Sequence, residues 1–302
     1  MLEIELCGIK LDSPLISASG ILDESAESMI RLLDAGASAV TTKSVGRDAR
    51  EGHKNPVIAE TECGLLNGMG LPNAGIDNFQ REMRVLKKKR PESAIIGSIF
   101  ASDAEGFATL AKRMEAYGAS AVELNLSCPH AKGFGAEIGS DPQTVLDISR
   151  EVKRSVRIPV FVKLTPNVKS IVDLAKACEE AGANGITAIN TVKGMKIDVE
   201  SSRPILSCKM GGLSGPAIKP IGVRCVYEIT EEVPLPVIGT GGITSGRDAI
   251  EYILAGASAV GIGAAVYYEG RAVFGKIRKE IVELLEEKGL GIEEIKGMAH
   301  RR

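Results

Sequence analysis

Residues 123–129, with the sequence ELNLSCP, join an apolar strand pattern to residue types that can do chemistry. Val122, Leu124 and Leu126 alternate as in a buried strand, and Pro129 cannot continue a hydrogen-bonded ladder. Cys128 is therefore predicted to stand just beyond the carboxyl end of that strand. A thiolate in this position could accept a proton from a substrate, and a small buried thiol is the alternative interpretation.

Other polar residues follow apolar runs at several predicted strand ends. If the strands are parallel, these ends share one rim, where parallel α/β proteins carry their sites. Lys43 and Lys163 both end apolar runs, and burying a lysine charge without an anionic partner is costly. Two such lysines beside amides and a thiol indicate a site for a charged, hydrogen-bonding ligand. The residues predicted at this rim are Ser19, Lys43, Asn125, Cys128, Lys163, Asn190, Thr191, Gly241, Gly242, Gly263 and Ala264.

A repeated sequence motif predicts several of the helices and strands that must position these residues. Each copy predicts a helix that ends at a glycine and a buried strand that follows, because glycine suits the left-handed position after a helix. The copies are residues 35–40, 117–122, 181–186 and 255–260, and further strands are predicted near 15–20, 94–99, 159–164 and 234–239. These strands alternate with helical patterns along the whole chain. The predicted fold is therefore α/β, a single (β/α)8 barrel domain spanning residues 1–302.

Three segments lie outside this alternation. Residues 2–11 alternate with period two around a glycine and predict a short N-terminal β-hairpin that plugs or flanks the main fold. Residues 44–76 and 192–220 show little periodicity and carry several glycines. They are predicted to be long loops over the carboxyl-terminal face of the barrel.

The loops after the last two predicted strands are rich in glycine. Gly241 and Gly242 lie in one loop, and Gly263 and Ala264 lie in the other. Backbone N–H groups can approach phosphate oxygens where side chains are absent, and barrels commonly hold a phosphate in these two loops. The two loops together favour a phosphate site, with tight turns and close helix packing as the alternative.

Composition limits the class of protein. The 302 residues are 44% hydrophobic and 25% charged, as expected for one globular domain. A formal net charge of −2 gives no electrostatic footprint for nucleic acid or an anionic membrane, so neither partner is expected. The six cysteines form no CxxC pair, which argues against a metal or iron–sulfur site in this chain. Without a basic-then-apolar leader or a membrane-length apolar run, a cytoplasmic location is expected.

Five motifs together resemble the dihydroorotate dehydrogenases. They are residues 42–44 (TKS), 67–73 (NGMGLPN), 123–129 (ELNLSCP), 190–191 (NT) and 212–216 (GLSGP). The resemblance spans nearly the full chain, and its motifs lie at predicted strand ends or in the long loops. It implies a barrel enzyme of pyrimidine biosynthesis that binds one flavin mononucleotide (FMN) and oxidises dihydroorotate to orotate.

The resemblance also implies roles for individual positions. Cys128 resembles the base that takes a proton from the substrate while hydride passes to the flavin. Lys43 resembles a lysine between flavin and substrate, and Lys163 resembles one that stabilises the reduced flavin. The residues implied to bind substrate are Lys43, Asn67, Gly68, Met69, Gly70, Leu71, Asn125, Asn190 and Thr191. Those implied to bind FMN are Ser19, Lys43, Ser44, Asn125, Lys163, Ile189, Gly215, Gly241, Gly242, Gly263 and Ala264.

The thiol of Cys128 implies the soluble class of the family, because a serine takes this place in the membrane-associated class. Residues 139–142 and 194–198 look more like the NAD-linked type than the fumarate-using type. The NAD-linked type implies a partner subunit that carries FAD and an iron–sulfur (2Fe–2S) cluster, in a heterotetramer built on a homodimer. Electrons would reach NAD through that subunit.

Three positions depart from the family pattern. His130 stands where asparagine is more common, Ala264 where a hydroxyl residue is common, and Ser98 where asparagine is expected. These departures concern individual flavin contacts more than the overall chemistry. For His130, a solvent-facing loop position is favoured over a role as a second acid or base.

Other functions fit parts of the pattern. A fumarate-dependent dihydroorotate dehydrogenase, or another pyrimidine-oxidising flavoenzyme, would keep the flavin and change the acceptor or the ring substrate. A flavin-free phosphate-binding barrel, such as an isomerase or aldolase, would share the late glycine loops and could use Lys163 as a Schiff-base nucleophile. A purely structural subunit fits least, because ionisable and amide groups cluster at the predicted strand ends.

Overall fold

The computed structural model describes residues 1–126 and 138–301. Its strands are β1 (Ile4–Leu6), β2 (Ile9–Leu11), β3 (Leu15–Ser17), β4 (Ala39–Thr41), β5 (Ile58–Thr61), β6 (Gly64–Asn67), β7 (Ala94–Ile99), β8 (Ala121–Asn125), β9 (Val160–Leu164), β10 (Gly185–Ala188), β11 (Val192–Gly194), β12 (Ile197–Asp198), β13 (Arg203–Pro204), β14 (Gly211–Ser214), β15 (Val237–Thr240) and β16 (Ala259–Ile262). Its helices are α1 (Ala26–Asp34), α2 (Ile76–Lys89), α3 (Ala104–Ala116), α4 (Pro142–Ser155), α5 (Ile171–Glu180), α6 (Lys219–Glu232), α7 (Gly246–Leu254), α8 (Ala265–Glu269), α9 (Val273–Lys288) and α10 (Ile292–Ile295).

A closed barrel of parallel strands forms the centre of the structure. Around the barrel the order is β10, β15, β16, β3, β4, β7, β8 and β9. Helices alternate with these strands along the chain, so the predicted (β/α)8 fold is confirmed. The register places Glu123 of β8 opposite Ser98 of β7, and Asn125 of β8 opposite Lys163 of β9.

Each copy of the repeated glycine motif forms the predicted structure, a helix that ends at glycine and is followed by a barrel strand. Gly36, Gly118, Gly182 and Gly256 follow the last residues of α1, α3, α5 and α7, with φ values of 109°, 88°, 78° and 108°. Few residues with a side chain adopt this left-handed backbone without strain. Each glycine therefore ends a helix and turns the chain into the next barrel strand.

Strand β8 is buried on both of its faces. Val122 and Leu124 alternate with Glu123 and Asn125, and all four are buried. In a parallel barrel one face of each strand packs on the outer helices and the other fills the barrel interior. The contacts of Glu123 with residues of β7, β9 and β10 show that the polar set faces inward.

The amino-terminal end of the barrel is covered by the predicted hairpin. Strands β1 and β2 pair antiparallel, with Ile4 opposite Leu11. Leu6 is buried in the main core, and the thiol of Cys7 donates to the carbonyl of Asn184, one residue before β10. The hairpin therefore lies at the end of the barrel opposite to the strand ends that carry the predicted site.

The two long insertions differ from expectation, because they are not only loops. Strands β5 and β6 of the first insertion and β11 and β14 of the second form one antiparallel sheet, in the order β11, β14, β6, β5. Asn67 of β6 pairs with Gly212 of β14. The pairing joins segments far apart in sequence, and glycine-rich strands such as β14 lack the alternating pattern that reveals a strand.

The outer helices pack their apolar faces on the barrel. Five of them begin at side chains that accept a hydrogen bond from the first turn, namely Ser25, Asp103, Asp141, Ser170 and Ser245. Such caps satisfy N–H groups that have no partner inside the helix. Within residues 1–126 and 138–301, no helix is long and apolar enough to cross a membrane.

Candidate active site

A cavity of about 270 Å³ lies at the carboxyl-terminal ends of the barrel strands, next to the sheet of the two insertions. Most residues predicted to form the site line it, namely Ser19, Lys43, Ser44, Asn67, Met69, Gly70, Leu71, Asn125, Lys163, Ile189, Asn190, Thr191, Gly215, Gly241, Gly242, Gly263 and Ala264. Further residues line the cavity that were not predicted to form the site, namely Ala18, Gly20, Ile21, Ile58, Leu65, Pro72, Ser214, Ile218, Thr240 and Tyr267. Most of these are small or apolar residues without a chemical signal in the sequence.

Of the described residues predicted to form the site, Gly68 does not line this cavity. Cys128 and His130 lie outside the described residues. Gly68 contacts the neighbouring insertion, where a side-chain carbon added to it would collide with the sulfur of Cys208. Its N–H donates to the carbonyl of Val57 at 2.8 Å. Gly68 therefore shapes the loop that carries the lining residues around it.

Lys43 sits at the cavity wall among acidic residues of the loop between β3 and α1. The lysine is 9% exposed, and its Nζ lies 3.5 Å from Oε1 of Glu24. Asp23, 1% exposed, accepts the backbone N–H of Gly20 on Oδ2 at 2.5 Å, and its carbonyl accepts the backbone N–H of Lys43. Burial raises the pKa of Asp23 to about 6, although the Lys43 charge and the Gly20 N–H both lower it. Sequence patterns gave no signal for Asp23.

Lys163 has a buried anionic neighbour inside the barrel. Its Nζ lies 3.6 Å from Oε1 of Glu123, and both side chains are nearly inaccessible to water. Glu123 also accepts hydrogen bonds from Ser98 and Thr187. A lysine at an apolar strand end was expected to need such a partner, and the inward face of β8 supplies it.

A row of hydroxyl groups connects this carboxylate to Asn125. Ser98 Oγ lies 2.9 Å from Ser44 Oγ, and Nδ2 of Asn125 donates to Ser44 Oγ at 2.9 Å. Ser19 donates to the carbonyl of Thr42 beside this row. Oδ1 of Asn125 is buried and has no hydrogen-bond partner among the described residues. The departure noted at position 98 is thus part of a polar network, because a serine there fits between two other side chains.

The other two predicted amides come from different elements of the rim. Asn67 reaches the rim on β6 and donates through Nδ2 to the carbonyl of Gly212 at 3.1 Å. Asn190 follows β10, and its Oδ1 accepts the backbone N–H of Thr191 at 2.9 Å. Asn167, which no sequence motif indicates, donates through Nδ2 to the carbonyl of Thr191. The insertion sheet therefore brings Asn67 to the cavity wall, and the end of barrel strand β10 brings Asn190.

The glycine loops after β15 and β16 form one end of the cavity. Gly241 and Gly242 have φ values of 128° and 73°, a backbone that favours glycine. A side-chain carbon on Gly242 would lie 2.7 Å from the carbonyl oxygen of Gly215. Tyr252 donates to the carbonyl of Gly241 at 2.8 Å and fixes the loop from behind. The result is a backbone surface that a phosphate group can approach closely.

Taken together, the cavity offers two buried ammonium groups, several amides and a glycine-rich end. A phosphorylated ligand with a polar ring matches this donor set, because ammonium groups and backbone N–H groups bind anions and amides bind ring N–H and C=O groups. Within the described part of the chain, no three His, Cys, Asp or Glu side chains lie close enough to hold a metal ion.

Comparisons with known proteins agree with this geometry. The family model described as dihydroorotate dehydrogenase matches residues 1–285. Three relatives are each named dihydroorotate dehydrogenase B (NAD(+)), catalytic subunit. The protein of Methanocaldococcus jannaschii is 51% identical over 99% of this chain and 98% of its own length. That of Thermoplasma volcanium is 52% identical over 98% of each chain, and that of Pyrococcus horikoshii is 50% identical over 99% and 98%. The resemblance found in the motifs is confirmed, and this chain belongs to the dihydroorotate dehydrogenase family.

Proposed function

We propose that the chain is the catalytic subunit of an NAD-linked dihydroorotate dehydrogenase, which oxidises dihydroorotate to orotate in pyrimidine biosynthesis. The observation that carries the proposal is the single cavity where Lys43, Lys163 and three predicted amide residues meet the glycine loops. Full-length identity near one half to relatives named as NAD-linked catalytic subunits favours this type over the fumarate-using type.

The cavity would hold one FMN, in a chain that we take to be a single barrel domain. Gly241, Gly242, Gly263 and Ala264 would hold the phosphate through the backbone. Lys163 would stabilise negative charge on the flavin ring, and the orphaned Oδ1 of Asn125 would accept a hydrogen bond. The bound flavin would supply the hydride acceptor. Ser19, Ser44, Ile189 and Gly215 complete the proposed flavin contacts.

The substrate would lie against the amides of the rim. Lys43 would balance the negative charge of the substrate carboxylate. Asn67, Asn125, Asn190 and Thr191 would bind its ring and carboxylate, with residues 68–71 closing one side. Cys128, outside the described residues, would take the proton from the carbon next to the one that loses hydride. The half-reaction balances when one proton reaches the thiolate and one hydride leaves the ring.

Electrons would leave through a partner subunit. The names of the relatives include the words catalytic subunit, which agrees with a second kind of subunit. We infer that this partner carries FAD and an iron–sulfur cluster, in a heterotetramer built on a homodimer of this chain. NAD would then bind on the partner and not in the barrel.

Electron acceptors test the division of labour between the two subunits. The isolated, flavin-loaded chain should oxidise dihydroorotate with an artificial dye as acceptor and should fail with NAD. The measurement is orotate formation with each acceptor, with fumarate as a third. Direct reduction of NAD or of fumarate by the isolated chain would contradict the proposal, and a dye reaction in the same preparation serves as its control.

A further inference from the structure

Glu123 is a buried carboxylate with a donor on each oxygen. It is 2% exposed and points into the barrel from β8. Oε1 accepts from Ser98 Oγ at 3.2 Å and lies 3.6 Å from Nζ of Lys163, while Oε2 accepts from Thr187 Oγ1 at 2.9 Å. These donors come from β7, β9 and β10, so the carboxylate joins three other strands of the barrel. Charged groups are buried in this way only when they are well paired.

This carboxylate fixes the direction of the hydrogen-bond row that leads away from it. A carboxylate oxygen accepts, so the single hydroxyl hydrogen of Ser98 points at Glu123. The bond of 2.9 Å between Ser98 and Ser44 must then be donated by Ser44. Ser44 has no second hydrogen, so toward Asn125 it can only accept. The side-chain amide of Asn125 must therefore present Nδ2 to Ser44, and Nδ2 lies 2.9 Å from Ser44 Oγ in this orientation.

The fixed direction decides what Asn125 offers at its other end. With Nδ2 held by Ser44, Oδ1 is left as an acceptor, and it is the atom that is buried without a partner in the described structure. A buried acceptor without a donor is costly. Asn125 lines the cavity, so a ring N–H of a bound molecule would satisfy this oxygen. An amide rotated by half a turn would instead oppose that N–H with N–H groups of its own.

We propose that Glu123 is a positioning residue, which holds Lys163 at the cavity and, through Ser98 and Ser44, locks Asn125 as an acceptor for a ring N–H. The identity of the bound molecule rests on the proposed function. Both the flavin ring and the pyrimidine substrate carry an N–H between two carbonyl groups, so the chemistry that Asn125 recognises is shared. The experiment has to separate these two sources.

Two matched variants separate the effect of the hydrogen-bond row, Ser98 and Ser44, from the effect of the other hydrogen bond to Glu123. Ser98→Ala and Thr187→Val each remove one hydroxyl that donates to Glu123 and leave Glu123 and Lys163 in place. Of these two variants, only Ser98→Ala interrupts the row of hydrogen bonds that runs from Glu123 through Ser98 and Ser44 to Asn125. Ser44→Ala breaks the same path one step later and replaces Ser98→Ala if that variant does not fold.

The readout is the preference for a ring N–H over its methylated form. Flavin-free protein is titrated with FMN and 3-methyl-FMN, and flavin-loaded protein with orotate and its two N-methyl derivatives. The wild type and Thr187→Val should prefer the unmethylated molecule by the same factor. Ser98→Ala should reduce that preference by about three- to tenfold, since one hydrogen bond to a fixed acceptor is lost.

Each outcome assigns or overturns the role of Glu123. A reduced preference confined to the FMN pair or to the orotate series supports the proposal and identifies the source of the N–H. An equal change in Ser98→Ala and Thr187→Val, or no change in either series, would overturn it, because a merely structural role weakens all ligands alike. If dihydroorotate does not reduce the wild-type flavin, the proposed function fails, while the FMN pair still tests the row.

Discussion

At the level of single residues, two buried carboxylates set the charge of the cavity wall. Asp23 lies in the loop that carries Glu24 against Lys43, and Glu123 lies beside Lys163. The two sites differ in how well the anion is satisfied. Glu123 has donors on both oxygens, whereas burial dominates at Asp23 and raises its pKa. The protonation of Asp23 should therefore be visible in the stability of the protein.

Asp23→Asn should change how stability depends on pH. Because burial raises the pKa of Asp23 from 3.8 to about 6, the folded protein keeps a proton that the unfolded chain releases in this interval. The stability that this bound proton contributes is fully present below the unfolded-state pKa of 3.8. It is lost as the pH rises through the folded-state pKa of about 6. The asparagine variant has no charge to bury, so its free energy of unfolding should rise relative to the wild type by up to about 3 kcal/mol across the interval.

Urea unfolding of the flavin-free proteins at about pH 4 and about pH 7.5 measures this difference. Glu24→Gln is the matched control, because it removes a carboxylate from the same loop at an exposed position where burial cannot act. It should show no comparable rise. A constant difference between Asp23→Asn and the wild type at both pH values would contradict a raised pKa at Asp23.

The sequence predicts lysines of the site better than their partners. Lys43 and Lys163 end apolar runs, so their burial and their need for an anion follow from local sequence. Glu123 stands between apolar residues in a strand, and only the closed barrel shows that its side-chain partners are Ser98, Lys163 and Thr187 of three other strands. Partners on adjacent strands depend on register, which a single strand does not encode.

At the level of elements, the loops after β15 and β16 differ in how tightly they are held. Gly242 has a φ of 73°, and a side-chain carbon there would lie 2.7 Å from the Gly215 carbonyl and 2.9 Å from Cβ of Lys219. Among the described residues, a side-chain carbon on Gly263 would meet only Cβ of Ala18 within 4 Å, at 3.7 Å. Both glycines line the cavity, yet only Gly242 is required by the packing of the protein itself.

Gly242→Ala should therefore destabilise the flavin-free protein, whereas Gly263→Ala should not. We expect Gly242→Ala to lower the free energy of unfolding by more than about 1 kcal/mol, because a positive φ and a backbone collision act together. The change for Gly263→Ala should stay within about 0.5 kcal/mol. Urea unfolding of both variants measures the two effects, and equal losses would contradict the difference in packing.

The sheet formed by the two insertions could not be predicted from the local sequence. Four of the barrel strands, β4, β8, β10 and β16, are predictable because each follows a helix that ends at glycine, a signal contained in a few adjacent residues. Strands β6 and β14 pair across the chain, with Asn67 opposite Gly212, and no local pattern announces such a pair. Loop closure over this distance makes the pairing a property of the folded barrel and not of either segment.

At the level of the whole molecule, the N-terminal hairpin and the cavity lie at opposite ends of the barrel. The N-terminal hairpin covers the amino-terminal end, where Cys7 contacts the carbonyl of Asn184. The cavity lies at the opposite end, where the strand ends and both insertions meet. This division allowed a rim of site residues to be predicted from strand ends alone, because all parallel strands deliver their carboxyl ends to one face.

The central claim is that this cavity binds flavin and oxidises dihydroorotate, and anaerobic stopped-flow absorbance tests it most directly. The purified chain should show an oxidised-flavin band that bleaches rapidly when dihydroorotate is added without any acceptor. Cys128→Ala is the control and should stay yellow but bleach at least about 100-fold more slowly. A flavin band that dihydroorotate leaves unchanged would contradict the substrate, and a colourless chain that takes up no added FMN would contradict the cofactor.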